Sequence, residues 1–255
     1  MARWPGGISP SNRPPPGIAA FLGVLLIGMA VLVSPRDLKS QVPVTGEVRQ
    51  IVSLSFLPGT AGEAVDLFER LAVPLYRQDP AMEHFRGFSE VESSIPLDLI
   101  VVSSFDGMAG MDRSNEFLAG AGIGAFYSRV APVLSRHHDQ FIEMIPDLGR
   151  ADPSASPRTV LVWYRVVPGG SADFESAVRD VVLPLEEAMD VPSQTGRFLL
   201  GDGWHYLRFV GVESLGAYQA YWAALRQAEG YSRIDGRVAA TREVIVRALE
   251  GLSVR

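Results

Sequence analysis

The feature that most constrains this chain is that part of it occurs twice. Residues 51–76, IVSLSFLPGTAGEAVDLFERLAVPLY, return in diverged form over residues 161–186, LVWYRVVPGGSADFESAVRDVVLPLE. Pro58-Gly59 recurs as Pro168-Gly169 and Pro74-Leu75 as Pro184-Leu185, both 110 residues on. Between them Leu67, Phe68 and Leu71 match Ala177, Val178 and Val181. Further along, Ile100, Phe105-Asp106 and Met108 match Leu207, Val212-Glu213 and Leu215 at an offset of 107. Tyr127-Ser128-Arg129 then matches Tyr231-Ser232-Arg233 at 104. Two losses of three residues each, both placeable in loops, account for the drift. Three blocks in one order imply a duplication. A period of about 105–110 residues is too long for a solenoid unit, so each copy is expected to be a small domain.

Composition limits what such a chain can do. A net charge of −6 over 255 residues leaves no electrostatic footprint for nucleic acid. With no cysteine, disulfides and thiolate metal sites are excluded. Residues 1–16 carry Arg3 and Arg13, no acid and five prolines, and read as a disordered tail. Residues 17–33, GIAAFLGVLLIGMAVLV, hold no charge. As a helix they would span roughly 25 Å, near the lower limit for a bilayer core. A transmembrane signal anchor is the expectation. A cleaved signal peptide is the alternative, with Gly28 and Ala30 as small residues before a cut. Arg3 and Arg13 favour a cytoplasmic N-terminus and an extracytoplasmic body, although Arg36 and Lys39 on the far side count against that orientation. Residues 34–47 read as a linker.

Within the first copy, residues 48–145, VRQIVSLSF alternates as a strand. Ala64, Leu67, Phe68 and Leu71 follow at helical spacing, and Pro74 kinks or ends that helix. Residues 84–91 and 97–105 read as two more strands. A helical region from Met108 is interrupted by glycine-rich 119–124 and resumes over 126–137, before a weak strand at 140–145. Residues 146–158 read as an extended, exposed linker. The second copy, residues 159–255, repeats the order, with Gly201-Asp202-Gly203 as a hairpin turn and Ser214 as a helix N-cap. Alternation in REVIVRAL tips the last element to a strand.

The β-α-β-β-α-β order is ferredoxin-like. The run VPGGSADFESAVRDVVLPLEEA, then a hairpin, then VGVESLGAYQAYWAALRQAEGYSRI and REVIVRAL resembles the dimeric α/β-barrel superfamily, with NIPSNAP-like and antibiotic-biosynthesis-monooxygenase domains as kin. The resemblance implies an α+β fold in which two ferredoxin-like repeats press their sheets into one pseudo-dimeric barrel. One chain would supply both halves, so a monomer suffices. The missing catalytic motif and the apolar segment suggest a membrane-anchored, noncatalytic domain binding a small apolar or aromatic molecule or a partner. The resemblance implies, alternatively, a cofactor-independent monooxygenase-like or haem-linked enzyme. A purely structural envelope protein is the third reading.

Candidate site residues follow from strand parity. If the helices cover the apolar faces, the more polar faces line the barrel. That nominates Ser53, Ser55, Trp163, Arg165, Tyr206 and Arg208 as lining residues; alternatively, these side chains only fill the barrel or sit on an exposed face. His84 opens a strand and is a weaker candidate at the barrel mouth. His205 shares parity with Leu207 and Phe209 and is expected near the helix layer. His137-His138 is expected to close a helix, where neighbouring side chains diverge and cannot both hold one metal. No zinc-protease, nucleophile-elbow or phosphate-loop motif occurs, and no cofactor is implied by the residues themselves.

Overall fold

The computed structural model describes residues 46–93 and 98–254. The expected tail, apolar segment 17–33 and most of the linker 34–47 lie outside the described residues. Among the described residues no helix is long and apolar enough to cross a membrane. The described residues form one compact unit.

The first half runs β1 (Glu47–Phe56), α1 (Ala61–Leu67), α2 (Val73–Tyr76), β2 (Met82–Ser93), β3 (Leu99–Asp106), α3 (Gly107–Ala121), α4 (Gly124–Val130) and β4 (Leu134–Met144). The second runs β5 (Arg158–Val166), α5 (Ser171–Ala177), α6 (Leu183–Ala188), β6 (Ser193–Leu200), β7 (Tyr206–Val212), α7 (Leu215–Gln227), α8 (Tyr231–Asp235) and β8 (Val238–Val254). All eight strands pair antiparallel into a closed barrel of order β1-β3-β2-β8-β5-β7-β6-β4. Each half therefore contributes the same four-strand run, and closure leaves no sheet edge unpaired.

The strand register reproduces the sequence offsets. Val52 lies opposite Val101 and Asp139; Val162 lies opposite Arg208 and Glu243. Those partners are 107 and 104 residues apart, as the sequence blocks require. Even the register break after Ser55 recurs after Arg165.

The prolines explain a second shared detail. α1 passes through one wide turn, Phe68–Ala72, into α2, and α5 through Val178–Val182 into α6. At these turns Val73 N–H bonds to Phe68 O and Leu183 N–H to Val178 O, five residues back instead of four. Pro74 and Pro184 follow directly. Each lacks an N–H and would clash with the preceding turn of a regular helix. The extra residue in the turn relieves that clash, so the helix continues past the proline rather than ending there.

Three apolar clusters hold the fold together. One lies between the first half's strands and helices, around Leu54, Phe56, Leu67, Phe68 and Phe126. The second lies between the second half's strands and helices, around Val162, Phe174, Val178 and Tyr221. The third fills the middle of the barrel with Ile51, Ile100, Leu161, Trp163, Leu207, Phe209, Val244 and Val246. An eight-stranded barrel is just wide enough for its own side chains to fill.

Several local expectations are corrected. Residues 134–137 belong to β4, not to a helix, and the strand expected at 140–145 starts at Leu134. The helical break is confined to the end of α3, where Gly122 has φ +88° and caps it. The segment joining the halves is not simply exposed: Leu148 is fully buried in the second half's core and Pro153 is buried too. Ser214 does cap α7, accepting from Ala217 N–H at 3.1 Å. Gly203 takes the positive φ that the hairpin turn requires, at +73°.

Candidate functional site

The nominated residues divide between the two faces of the sheet. Ser53, Ser55, Trp163 and Arg165 keep the parity of Ile51 and Leu161, which face the barrel interior. Trp163 is fully buried there. Its Nε1–H donates to Gln140 Oε1 at 3.0 Å, and the Arg242 guanidinium stacks 4.6 Å from its ring centre. Burial lowers the pKa of Arg242. Arg165 is exposed at the barrel end, donating to Gly203 O at 3.1 Å and stacking on Trp204. Ser53 and Trp163 belong to β1 and β5, which stand four strands apart in the ring of eight, on opposite walls. These four residues do not converge on one cavity.

Tyr206 and Arg208 face the other way. Both lie on the helix side, and it is Leu207 and Phe209 that enter the barrel. The premise that polar residues mark the interior fails because both faces of β7 are buried, so polarity no longer reports the face. Arg208 is 1 % exposed and Glu186, on α6, is fully buried. The Arg208 Nη2 donates to both Glu186 carboxylate oxygens at 2.9 Å. Its Nε donates to Thr195 Oγ1 at 3.0 Å. Ser193 and Tyr221 donate their hydroxyls to the same carboxylate. Both carboxylate oxygens and the Arg208 Nε and Nη2 are thus engaged, which is what makes so deep a pair tolerable. Burial is the largest single influence on Arg208 and lowers its pKa, but Glu186, Tyr221 and Tyr164 together outweigh it and raise the pKa. Burial first, and then Glu186, push the Tyr221 phenol well above its usual value. Tyr206 donates to Glu175 at 2.6 Å, tying β7 to α5.

Beside this network the sheet and helices part. A cleft of about 310 Å³ opens between β5, β7 and β8 on one side and α5, the wide turn that follows it, α7 and α8 on the other. Tyr164, Phe174, Trp222 and Tyr231 give it aromatic walls, and Arg208 and Glu243 supply charge. Glu243 accepts from the Tyr218 hydroxyl. Burial raises the pKa of Tyr164, and burial together with the Glu243 bond raises that of Tyr218, so both phenols stay protonated. Arg208 is the one nominated residue that lines this cleft; the others were missed. The offset itself marks the network beside the cleft: Arg208 and Glu186 stand where the first half has Val101 and Tyr76.

The histidines are dispersed. His137 and His138 lie on β4, not at a helix end, and pair separately with Asp139 and Asp202. His205 precedes β7, not in the helix layer; its Nδ1 accepts from Val166 N–H at 2.8 Å and extends the β5–β7 ladder. His84 lines a second cavity at the barrel end where β1 begins. Among the described residues no group of three or more potential ligands could hold a metal ion.

This architecture has solved counterparts. A candidate monooxygenase from Lactobacillus acidophilus superposes with a TM-score of 0.59 at 12% identity, covering 82% of this chain and 96% of that one. An anthrone oxidase-like protein gives 0.57 at 11%, covering 82% and 94%. A mutant chlorite dismutase from Candidatus Nitrospira defluvii gives 0.55 at 11%, covering 81% and 92%. The barrel is thus a fold that these solved structures share. No protein-family model matches the chain, and no curated protein matches it either. At such identities the likeness concerns the fold alone.

Proposed function

We propose that the protein is a duplicated α/β barrel whose second half binds a small apolar or aromatic molecule, and that residues 17–33 attach it to a membrane with the barrel outside the cytoplasm. The observation that carries the binding reading is the cleft beside Arg208. Aromatic walls with a few convergent polar groups are the usual composition of a small-molecule site, and about 310 Å³ suits a ligand of one or two rings. Support for duplication comes from the shared register offsets, the paired wide helical turns and the recurrent register break. Support for the membrane attachment is the uncharged run in the sequence alone.

An oxygenase acting without a cofactor is the second reading, favoured by neighbours of this fold that are described as a monooxygenase and an anthrone oxidase-like protein. A haem does not fit this cleft. Its lining contains no histidine, cysteine or methionine, the side chains that most often hold a haem iron.

The test is calorimetric titration with 2-naphthol of the wild-type chain and of Thr241→Trp, which places bulk on the exposed rim of the cleft. Saturable binding that the substitution weakens at least tenfold is the expected result. Binding unaffected by Thr241→Trp, or none at all, sinks the reading.

A further inference from the structure

The cavity at the opposite side of the sheet, inside the barrel end where β1 begins, is separate from the cleft. It holds about 260 Å³ and is lined by Arg49, His84, Arg86, Phe88, Ser104 and Phe209, among others. Its floor is the edge of the interior cluster, through Phe88, Val102 and Phe209. Its roof is the segment joining the halves, which Arg86 holds by donating to Ser154 O at 2.7 Å. Asp152, also at the roof, is turned back on that segment and accepts from Ser154 N–H at 3.0 Å and from the Ser154 hydroxyl.

Two features ask for an occupant. The first is Ser104, a lining residue 2 % exposed, whose Oγ is buried and makes no hydrogen bond among the described residues. Buried hydroxyls are nearly always partnered. The second is the pair of guanidiniums over an aromatic floor. Arg49 engages two of its five donors, with Glu47 at 2.6 Å and Gln194 at 2.8 Å, while its Cζ lies 5.3 Å from the centre of the Phe209 ring. Two guanidiniums disfavour a cation here, and a bare inorganic anion would leave the apolar floor uncovered.

We propose that this barrel-end cavity is a second binding site, for a small aromatic carboxylate. The ring would lie on Phe88 and Phe209, and the carboxylate would accept from Arg49, Arg86 and the Ser104 hydroxyl. Fork-shaped guanidiniums recognise carboxylates through paired hydrogen bonds, which suits that orientation.

The experiment titrates the full chain with benzoate, benzyl alcohol and inorganic phosphate by calorimetry and amide chemical-shift mapping. Benzoate is expected to bind saturably, at least tenfold tighter than either of the others, with shifts at Ser104, Ser154 and Phe209. Ser104→Ala should weaken benzoate about tenfold, the worth of one hydrogen bond to a charged group, without lowering the melting temperature. Arg49→Met should weaken it further. Since that change also removes the Glu47 and Gln194 contacts, Ser104→Ala is the deciding variant. Thr241→Trp, in the other cleft, should leave benzoate binding intact. Absence of saturable benzoate binding, equal binding of phosphate, shifts at Trp222 and Tyr231 instead, or an unaffected Ser104→Ala would each overturn the proposal.

Discussion

The two halves share a backbone and differ in what lies between sheet and helices. In the first half that layer is an apolar core around Leu54, Phe68 and Phe126, with one buried carboxylate, Asp79, satisfied by Ser114 and Ala81 N–H. In the second half, Arg208 stands opposite Val162 where Val101 stands opposite Val52, and Glu186 occupies the place of Tyr76. A charged, hydrogen-bonded network replaces hydrocarbon, and a cleft opens beside it. One scaffold thus carries an apolar layer in one half and a charged layer beside a cleft in the other. Register and turns are carried by the backbone, whereas the proposed binding site rests on a handful of side chains.

The largest way to break this comparison is to unpair the buried ion. Glu186→Ala should cost about 3–5 kcal/mol in chemical denaturation, because it leaves the Arg208 charge buried without its partner. The double replacement Arg208→Met with Glu186→Met should recover most of that loss, since it converts the second half's layer toward the hydrocarbon of the first. If the double variant is no better than the single, the network is not the energetic unit described.

The tyrosines come next. All seven, Tyr76, Tyr127, Tyr164, Tyr206, Tyr218, Tyr221 and Tyr231, have pKa values raised by burial. Folded values above the unfolded one, about 10, mean that this stabilisation is complete below that pH and is lost as pH rises beyond it. Phenolate absorbance should therefore appear together with the loss of near-ultraviolet dichroism. Phenolate forming while the fold is intact would contradict the burial described, and the second half, with five of the seven, would be the place to look.

The smallest effects should be equal in the two halves. Gly59 and Gly169 occupy equivalent turns with φ of +83° and +77°, and a Cβ at either would meet nothing within 4 Å. Alanine at each should cost about 1–2 kcal/mol, from backbone strain alone. Unequal costs would show that the turns are not equivalent.

What could be read in the sequence divides along the same line. The offsets of 110 and 107 located the equivalent strands β1 and β5, and β3 and β7, because backbone register leaves its mark on the spacing of prolines, glycines and apolar runs; β2, β6 and the start of β4 fell outside the matched blocks. The faces of β1 and β5 were legible as well, since Val52 and Leu54 alternate with serines. β7 was not. Arg208 is polar, yet it points into a covered layer where Glu186, distant in sequence, neutralises it. A pairing between β7 and α6 leaves no local trace, so parity arguments based on polarity alone put Tyr206 and Arg208 on the wrong face. His137 and His138 misled for a related reason: the run beside them is strand by its pairing with β1, although its apolar spacing follows on from α4.

The central claim is that the same register supports a sealed layer in one half and a ligand-accepting one in the other. Amide chemical-shift mapping of the full chain with 2-naphthol tests it most directly. Saturable shifts at Trp222, Tyr231, Ala240 and Thr241, with the residues around Leu54, Phe68 and Val101 unmoved, are the predicted result. Comparable shifts in both layers, or shifts confined to the first, would contradict it.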